Sequence, residues 1–356
     1  MQKSINFVLS LVRRYWKPLL FGSIVALLAV EALLARLMTR PDWAAQRPGP
    51  LLESARMMYR MNTPILQYLH GQHDPALGYR MQAGTCTFKS AEFEVPYRFN
   101  SAGLRDDEQS LAAPEIIFLG DSITLGWGVE EKNTFAHIVE RETGMRGLNA
   151  AVSSYGTARQ MMLLQQLDTS ALRYLILQHH ANDGQENLAF SQNTNALPVM
   201  SPETFARLAA HEQKKARGMC FRHIRALARK WLEKKRNRPG MAIPPQDEVQ
   251  PFLHALAFGN NKIPAGTKLI LLDLDERNIT SPAFTVLLKD EITRSDYPLW
   301  IREAIFIDTF SSPGPDDCYN LDGHPDARGH AILAEKILSA LHNNSPTNIL
   351  PDDHYP

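Results

Sequence analysis

The chain has 356 residues, 44% of them hydrophobic and 21% charged, which allows a sizeable core in one large domain with appendages. Lysine plus arginine equals aspartate plus glutamate at 38 each, so no charge excess draws the chain to nucleic acid, and no nucleic-acid role is expected. Cys86, Cys220 and Cys318 lie far apart without C-x-x-C spacing, which removes the usual structural-zinc and dithiol readings and predicts three unpaired, mostly buried thiols, with one disulfide the maximum.

Residues 18–35 are almost wholly apolar, interrupted by Glu31, and with their flanks suffice for one membrane crossing of roughly 20 residues. Lys3, Arg13, Arg14 and Lys17 precede the run while Arg36 and Arg40 follow it, a bias that keeps the short amino terminus in the cytoplasm. Segment 1–40 therefore reads as a cytoplasmic stub and a single-pass anchor in the cytoplasmic membrane, with the rest of the chain on the periplasmic or extracellular side. A cleaved signal peptide is the rival, but 33–40 offers no small-x-small cleavage site. Glu31 sits towards the outer end of the run, where a charge reaches the interface at little cost.

Segment 41–110 begins as a linker with Pro41, Pro48 and Pro50, continues as a short helix within 51–69, and then alternates. Phe88, Ala91, Phe93, Val95, Tyr97 and Phe99 predict a β-hairpin over 85–100, confined to an edge by Pro96. In segment 111–345, short apolar strands at 116–119, 173–178, 268–274 and 304–307 alternate with helical stretches such as 134–143. That alternation predicts an α/β fold, a three-layer α/β/α doubly wound parallel sheet.

An insertion over about 186–263 reads as a helical cap or lid. Its basic run 214–238 carries Ile224, Leu227, Trp231 and Leu232, which predict an amphipathic helix packed on the core with a solvated basic face. Attraction of that face to phospholipid headgroups or an anionic glycan is the alternative. Residues 346–356 form a tail.

Three loops at the carboxyl ends of parallel strands share one edge of such a sheet, whatever their chain separation. Gly120-Asp121-Ser122 follows the first strand, His180-Ala-Asn182-Asp183 the second, and Asp322-Gly-His324-Pro follows the fourth and opens the last helix. A serine hydroxyl needs a base, the base needs an orienting group, and the developing oxyanion needs donors. Ser122, His324, Asp322 and Asn182 supply these types; an imidazole with an ordinary pKa of about 6.5 accepts the serine proton near neutrality. Asp121 reads as fixing its own loop through backbone hydrogen bonds. His179 and His180 could suggest a metal, but no third ligand has recognisable spacing, so local hydrogen bonding is expected and no metal or other cofactor is implied. Glu186 and Asn187 read as exposed loop residues or as substrate contacts.

Over roughly residues 74–342 the sequence resembles the membrane-anchored bacterial branch of the SGNH (GDSL-like) hydrolases. Gly120-Asp-Ser-Ile-Thr124 resembles the nucleophile motif, Asn182-Asp183 the oxyanion asparagine motif, and Asp322-Gly-His-Pro325 with Gly329 the acid-and-histidine motif. Asp74-Pro-Ala-Leu-Gly-Tyr79 and Phe99-Asn-Ser-Ala-Gly-Leu-Arg105 resemble segments that often precede the nucleophile in that branch. The resemblance implies a flavodoxin-like topology and an oxyanion hole formed by the backbone N–H of Ser122, a backbone N–H at Ser154 and the side chain of Asn182. Asp121, His180 and Asp183 are candidate substrate contacts.

Three positions depart from the family pattern. Ser154 and His180 stand where glycine is usual, and the acid expected at Leu321 falls instead on Asp322, with Asp316, Asp317 and Asp326 as alternatives. The expected function is a serine esterase acting through an acyl-serine on an acylated glycan or a lipid ester, with O-acetyl groups on envelope or exported polysaccharide favoured by the location. A polysaccharide O-acyltransferase using the same triad and a catalytically silent binding or scaffold protein of polysaccharide export remain alternatives.

Overall fold

The computed structural model describes residues 2–46, 49–234, 243–274, 282–294, 296–310 and 312–344; the expected tail at 346–356 lies outside them. The chain divides into two compact units, Met1–Pro64 with Lys214–Arg238, and Ile65–Gln213 with Pro239–Pro356. The boundary cuts through the insertion and places its basic run with the amino-terminal helices.

In the first unit, helix Gln2–Met38 contains the stretch Arg14–Met38, long and apolar enough to cross a membrane, as a signal sequence also is. Helices Pro41–Ala45 and Pro50–Asn62 follow, each opened by a proline, whose missing N–H is not needed there. Pro50–Asn62 stops at Thr63, which is extended at ψ 125° because Pro64 follows it. The fourth helix, Arg222–Lys234, is separated from helix Pro202–Ala216 by a turn in which Gly218 takes φ 85°.

The orientation of Arg222–Lys234 corrects the expectation. His223 and Ala226 face inward, Ile224 and Leu227 are half-buried, and Trp231 and Leu232 point outward, 61% and 55% exposed. Periodicity located an apolar face but not what that face meets.

The second unit is built on five parallel strands, preceded by two hairpins. Strands β1 (Gly71–Asp74) and β2 (Gly78–Met81) form one hairpin; β3 (Gly84–Lys89) and β4 (Glu94–Phe99) form the other, with Thr87 opposite Pro96. The sheet comprises β5 (Ile116–Leu119), β6 (Gly147–Asn149), β7 (Tyr174–His179), β8 (Lys268–Asp273) and β9 (Ile305–Ile307), in the order β6-β5-β7-β8-β9 and parallel throughout. Counting strands of this sheet alone, the order is 2-1-3-4-5, the flavodoxin-like arrangement, whose switch point lies between β5 and β7.

Alternate residues of each strand feed opposite layers, because successive side chains leave opposite faces of a sheet. Ile116, Phe118, Ile176, Ile270 and Leu272 pack with Phe135, Val139, Leu333 and Ile337 of helices Phe135–Thr143 and Ala327–Asn343. Ile117, Leu119, Leu175, Leu177 and Leu269 pack with Met161, Phe252, Leu256 and Leu288 of helices Thr157–Leu164, Pro245–Ala257 and Ala283–Arg294. The fold is therefore a three-layer α/β/α sandwich. Helix Pro245–Ala257, expected within a cap, is instead part of this core: Phe252, Leu253 and Leu256 are fully buried. No disulfide links the three cysteines; Cys318 is buried, Cys86 half-buried and Cys220 exposed.

Candidate active site

Strand β5 delivers Gly120-Asp121-Ser122 to the carboxyl edge of the sheet. Gly120 has no room for a side chain, since a Cβ would come 2.1 Å from Thr124 Oγ1 and 2.7 Å from Gln178 Oε1. Asp121 is buried and caps the short helix Ser122–Leu125, its Oδ1 accepting the Ile123 amide at 3.0 Å. Gln178 of β7 ties the turn down: its Oε1 accepts the Asp121 amide at 3.2 Å and the Thr124 hydroxyl at 3.1 Å. The helix ends at once on Gly126, φ 82°. Buried Arg105 donates to the exposed carbonyls there, Leu125 at 2.9 Å, Gly126 at 2.6 Å and Val129 at 2.6 Å, with its guanidinium carbon 4.2 Å from the centre of the Tyr97 ring.

Ser122 Oγ lies 2.7 Å from His324 Nε2, and His324 Nδ1 is hydrogen-bonded to Asp322 Oδ1. The other carboxylate oxygen accepts the Trp127 indole N–H at 3.0 Å. Gly323, at φ 98°, makes the turn that lets Asp322 reach the ring only two residues on, a left-handed conformation suited to glycine. Leu321, the position of the acid by family spacing, is fully buried in the core. Asp317 and Asp326 serve elsewhere: Asp317 accepts the Gly314 amide at 3.0 Å, and Asp326 caps the last helix through the amides of Arg328 and Gly329.

The acid loop is also held from the β3–β4 hairpin. Glu92 accepts the amides of Leu321 at 2.9 Å and Asp322 at 2.8 Å. Burial pushes its carboxyl above the ordinary glutamate range, the two amides oppose that, and the nearby Asp322 charge adds to it.

The loop after β6 runs beside the nucleophile turn, with the Val152 amide donating to the Gly120 carbonyl at 3.3 Å. Ser154 adopts φ 62°, the left-handed conformation that favours glycine. The backbone shape of a glycine at this position is therefore kept, and the Ser154 hydroxyl accepts Gln67 Nε2 at 3.2 Å. Tyr79 of β2 donates its hydroxyl to the Ser153 carbonyl at 2.7 Å. Glu186 and Asn187 are not substrate contacts: Glu186 accepts the Gly156 amide at 3.1 Å and pairs with Arg159, while Asn187 is fully buried and accepts the Ala158 amide at 2.9 Å.

Asn182 is exposed at the carboxyl end of β7, and its amide donates to His180 Nδ1 at 3.0 Å. That bond assigns the His180 proton to Nε2. Asp121 and Asp183, candidates for substrate contact, are buried at 2% and 1% exposure and face protein. Asp183 accepts the Thr157 hydroxyl at 2.9 Å, and burial raises its pKa to about 7 against the pull of cationic His179.

His179 lies between Asp273 at 2.9 Å and Glu248 at 3.0 Å and stacks on Phe284 with ring centres 3.9 Å apart. Burial opposes its charge, but the two carboxylates prevail and raise its pKa to about 10. Among the described residues no group of three or more His, Cys, Asp or Glu is placed to hold a metal.

No family model matches the chain, and no curated protein matches it. Solved structures are similar to it, three of them as follows. A lipolytic G-D-S-L family protein from Veillonella parvula is 13% identical, over 63% of this chain and 96% of that one, with a TM-score of 0.36. A carbohydrate esterase family 2 enzyme with a carbohydrate-binding domain, from Corynascus thermopiles (Myceliophthora fergusii), is 15% identical over 64% and 65%, with a TM-score of 0.38. A lipase from a goat rumen metagenome is 18% identical over 63% and 96%, with a TM-score of 0.32. At these values the likenesses carry no functional weight; the side-chain geometry does.

Proposed function

We propose that the chain is a membrane-anchored serine esterase that hydrolyses carboxyl esters through an acyl-serine intermediate. The observation that carries this is the continuous hydrogen-bonded chain from Ser122 Oγ through His324 to Asp322. In the proposed reaction Nε2 accepts the hydroxyl proton as Oγ attacks the ester carbonyl, and Asp322 steadies the resulting imidazolium through Nδ1–H. The amides of Ser122 and Ser154 and the side chain of Asn182 receive the oxyanion. His324 then returns the proton to the leaving alcohol, and a water activated by the same nitrogen releases the acid and frees Ser122.

Location favours O-acetyl groups on envelope or exported polysaccharide over lipid esters, because the apolar helix would hold the unit close to the outer face of the membrane. The same residues would serve O-acyl transfer, with a sugar hydroxyl in place of water. A silent scaffold, suggested by Ser154 in a glycine position, loses support from the left-handed backbone that Ser154 keeps.

A fluorophosphonate probe and an acetyl ester, applied to the full chain in detergent, test the proposal. Wild type labels and hydrolyses, and Ser122→Ala does neither. Folded wild type that does neither would overturn it, and an acetylated product in place of free acetate when a glycan acceptor is added would favour transfer.

A further inference from the structure

Helix Arg222–Lys234 belongs to the same compact unit as the apolar helix, and its first turn is bonded to it. The Glu31 carboxylate accepts the amides of His223 and Ile224, each at 3.1 Å, and meets His223 Nδ1 at 2.9 Å. A carboxylate suits the unpaired amides and positive end of a helix start. Glu31 lies about two turns before Met38, the last residue of the apolar stretch. With Arg14–Met38 centred in a bilayer about 30 Å thick in its hydrocarbon, those bonds set the start of Arg222–Lys234 about 7 Å inside the outer hydrocarbon boundary, within the roughly 5–10 Å that an interfacial helix reaches with its apolar face.

At that level the helix presents a mixed face. Its buried side carries Ala226 and His223, the latter bonded to Glu31, and the helix packs against helices Pro50–Asn62 and Gln2–Met38. On its outward side Trp231 and Leu232 are exposed, and exposed Arg225 and Arg229 lie about two turns and one turn before Leu232. In water this arrangement leaves a tryptophan and a leucine hydrated. At a bilayer surface the apolar groups enter the acyl boundary while the arginine stems lie along it and lift their guanidinium groups to the phosphates. The end of the apolar helix has the same makeup, with Leu33, Arg36, Leu37, Arg40 and Trp43 lining a groove. Tryptophan beside arginine is the composition of a membrane interface.

We propose that helix Arg222–Lys234 lies along the outer surface of the membrane, docked to the anchor by Glu31, with Arg225 and Arg229 on anionic phospholipid headgroups and Trp231 and Leu232 in the acyl boundary. This rests on the anchor reading of Arg14–Met38. It gives the anchored unit an in-plane element as well as a transverse one, and accounts for an apolar outward face in an otherwise basic helix.

The test uses the full chain reconstituted in bilayers of phosphatidylcholine alone or with phosphatidylglycerol, doped with lipids brominated near the glycerol end of the acyl chain. Alkali extraction first reports whether the chain stays in the bilayer. The difference in tryptophan fluorescence between wild type and Trp231→Phe then isolates Trp231. The chain resists extraction, Trp231 loses most of its intensity to brominated lipid in the anionic bilayer, and the loss is smaller in phosphatidylcholine alone. Each arginine strengthens attachment to an anionic surface by about fivefold, so Arg225→Gln with Arg229→Gln requires more phosphatidylglycerol for the same quenching. If the chain resists extraction while Trp231 is quenched by aqueous iodide and not by brominated lipid, the helix placement is overturned and the anchor stands. Equal quenching in both bilayers overturns the anionic-lipid assignment, and release by alkali overturns the anchor and the placement together.

Discussion

Glu92→Ala removes the outside support of the acid loop, including the bond to the Asp322 backbone amide, and leaves the side chains of Ser122, His324 and Asp322 unaltered. The wild-type carboxylate accepts two amides, at 2.9 and 2.8 Å, in a part-buried setting. Each amide stripped of its partner costs about 1–3 kcal/mol, with the lower values applying where water can reach. We therefore expect about 2–3 kcal/mol from the pair. Expressed wholly in the position of Asp322, that free energy corresponds to a fall of about 30–150-fold in kcat.

Glu92→Gln keeps one acceptor and turns an NH2 towards the other amide, so about a tenfold loss is expected from half the free energy. Because burial raises the Glu92 pKa, the ionised acceptor is lost earlier on acidification than for an ordinary glutamate, and wild-type activity falls on that limb where Glu92→Gln stays flatter. The assay is turnover of an acetyl ester beside denaturant unfolding of the same detergent-solubilised protein. An alanine variant that is less stable yet turns over at the wild-type rate would show that Glu92 does not position Asp322 and that Trp127 and the Gly323 turn are sufficient support for it.

His179→Gln leaves Asp273 and Glu248 facing each other without their cation, and costs about 3–5 kcal/mol near neutral pH, less in acid where a carboxylate takes up a proton; urea unfolding at both pH values checks this. In wild type the raised His179 pKa means that its contribution is complete below about pH 6.5 and is lost as pH rises towards 10. His330 has the opposite sign: burial, aided by the charges of Arg105 and His324, lowers its pKa to about 3. Its contribution is present above about pH 6.5 and is lost as pH falls from there towards 3, so His330→Leu has a flatter acid limb in thermal unfolding despite starting less stable. Ser154→Gly relieves a left-handed serine, about 1 kcal/mol, but gives up the bond to Gln67 and gains unfolded-state freedom, so stability changes by less than about 1 kcal/mol and fluorophosphonate labelling is retained; Ser154→Val, β-branched in that conformation, loses about 1–3 kcal/mol.

Strands β5, β7 and β8 were legible to within a residue or so because each is a run of buried apolar side chains, the mark of a parallel strand covered on both faces. Strand β6 was not, since Gly147-Leu148-Asn149 offers one large apolar residue and its pairing with β5 depends on the sheet already existing. The Asp-Gly-His turn could be read from types and spacing because base and acid are neighbours in the chain. Glu92 could not, since its partners lie 229 and 230 residues away and no local pattern marks it. Asp121 was read as fixing its own loop and does so, but it, Asp183 and Asn187 were also candidates for substrate contact, for a related reason. A polar residue beside a motif looks alike whether it faces the crevice or an amide behind it, and here each is buried against the backbone or hydroxyl it holds. Trp231 and Leu232 fit the helical period equally well inward or outward, and the side that is buried is the one carrying His223 and Ala226.

In the proposed reaction Ser122 carries the acyl group. Full-length protein mixed with an activated acetyl ester, quenched in acid and digested for peptide mass mapping, tests it directly. One added acetyl group is expected on the peptide containing Ser122, absent in Ser122→Ala and strongly reduced in His324→Ala, whose turnover falls on the order of 10⁴-fold or more. Acetyl accumulating on another residue, or on Ser122 at the same rate without His324, would contradict it.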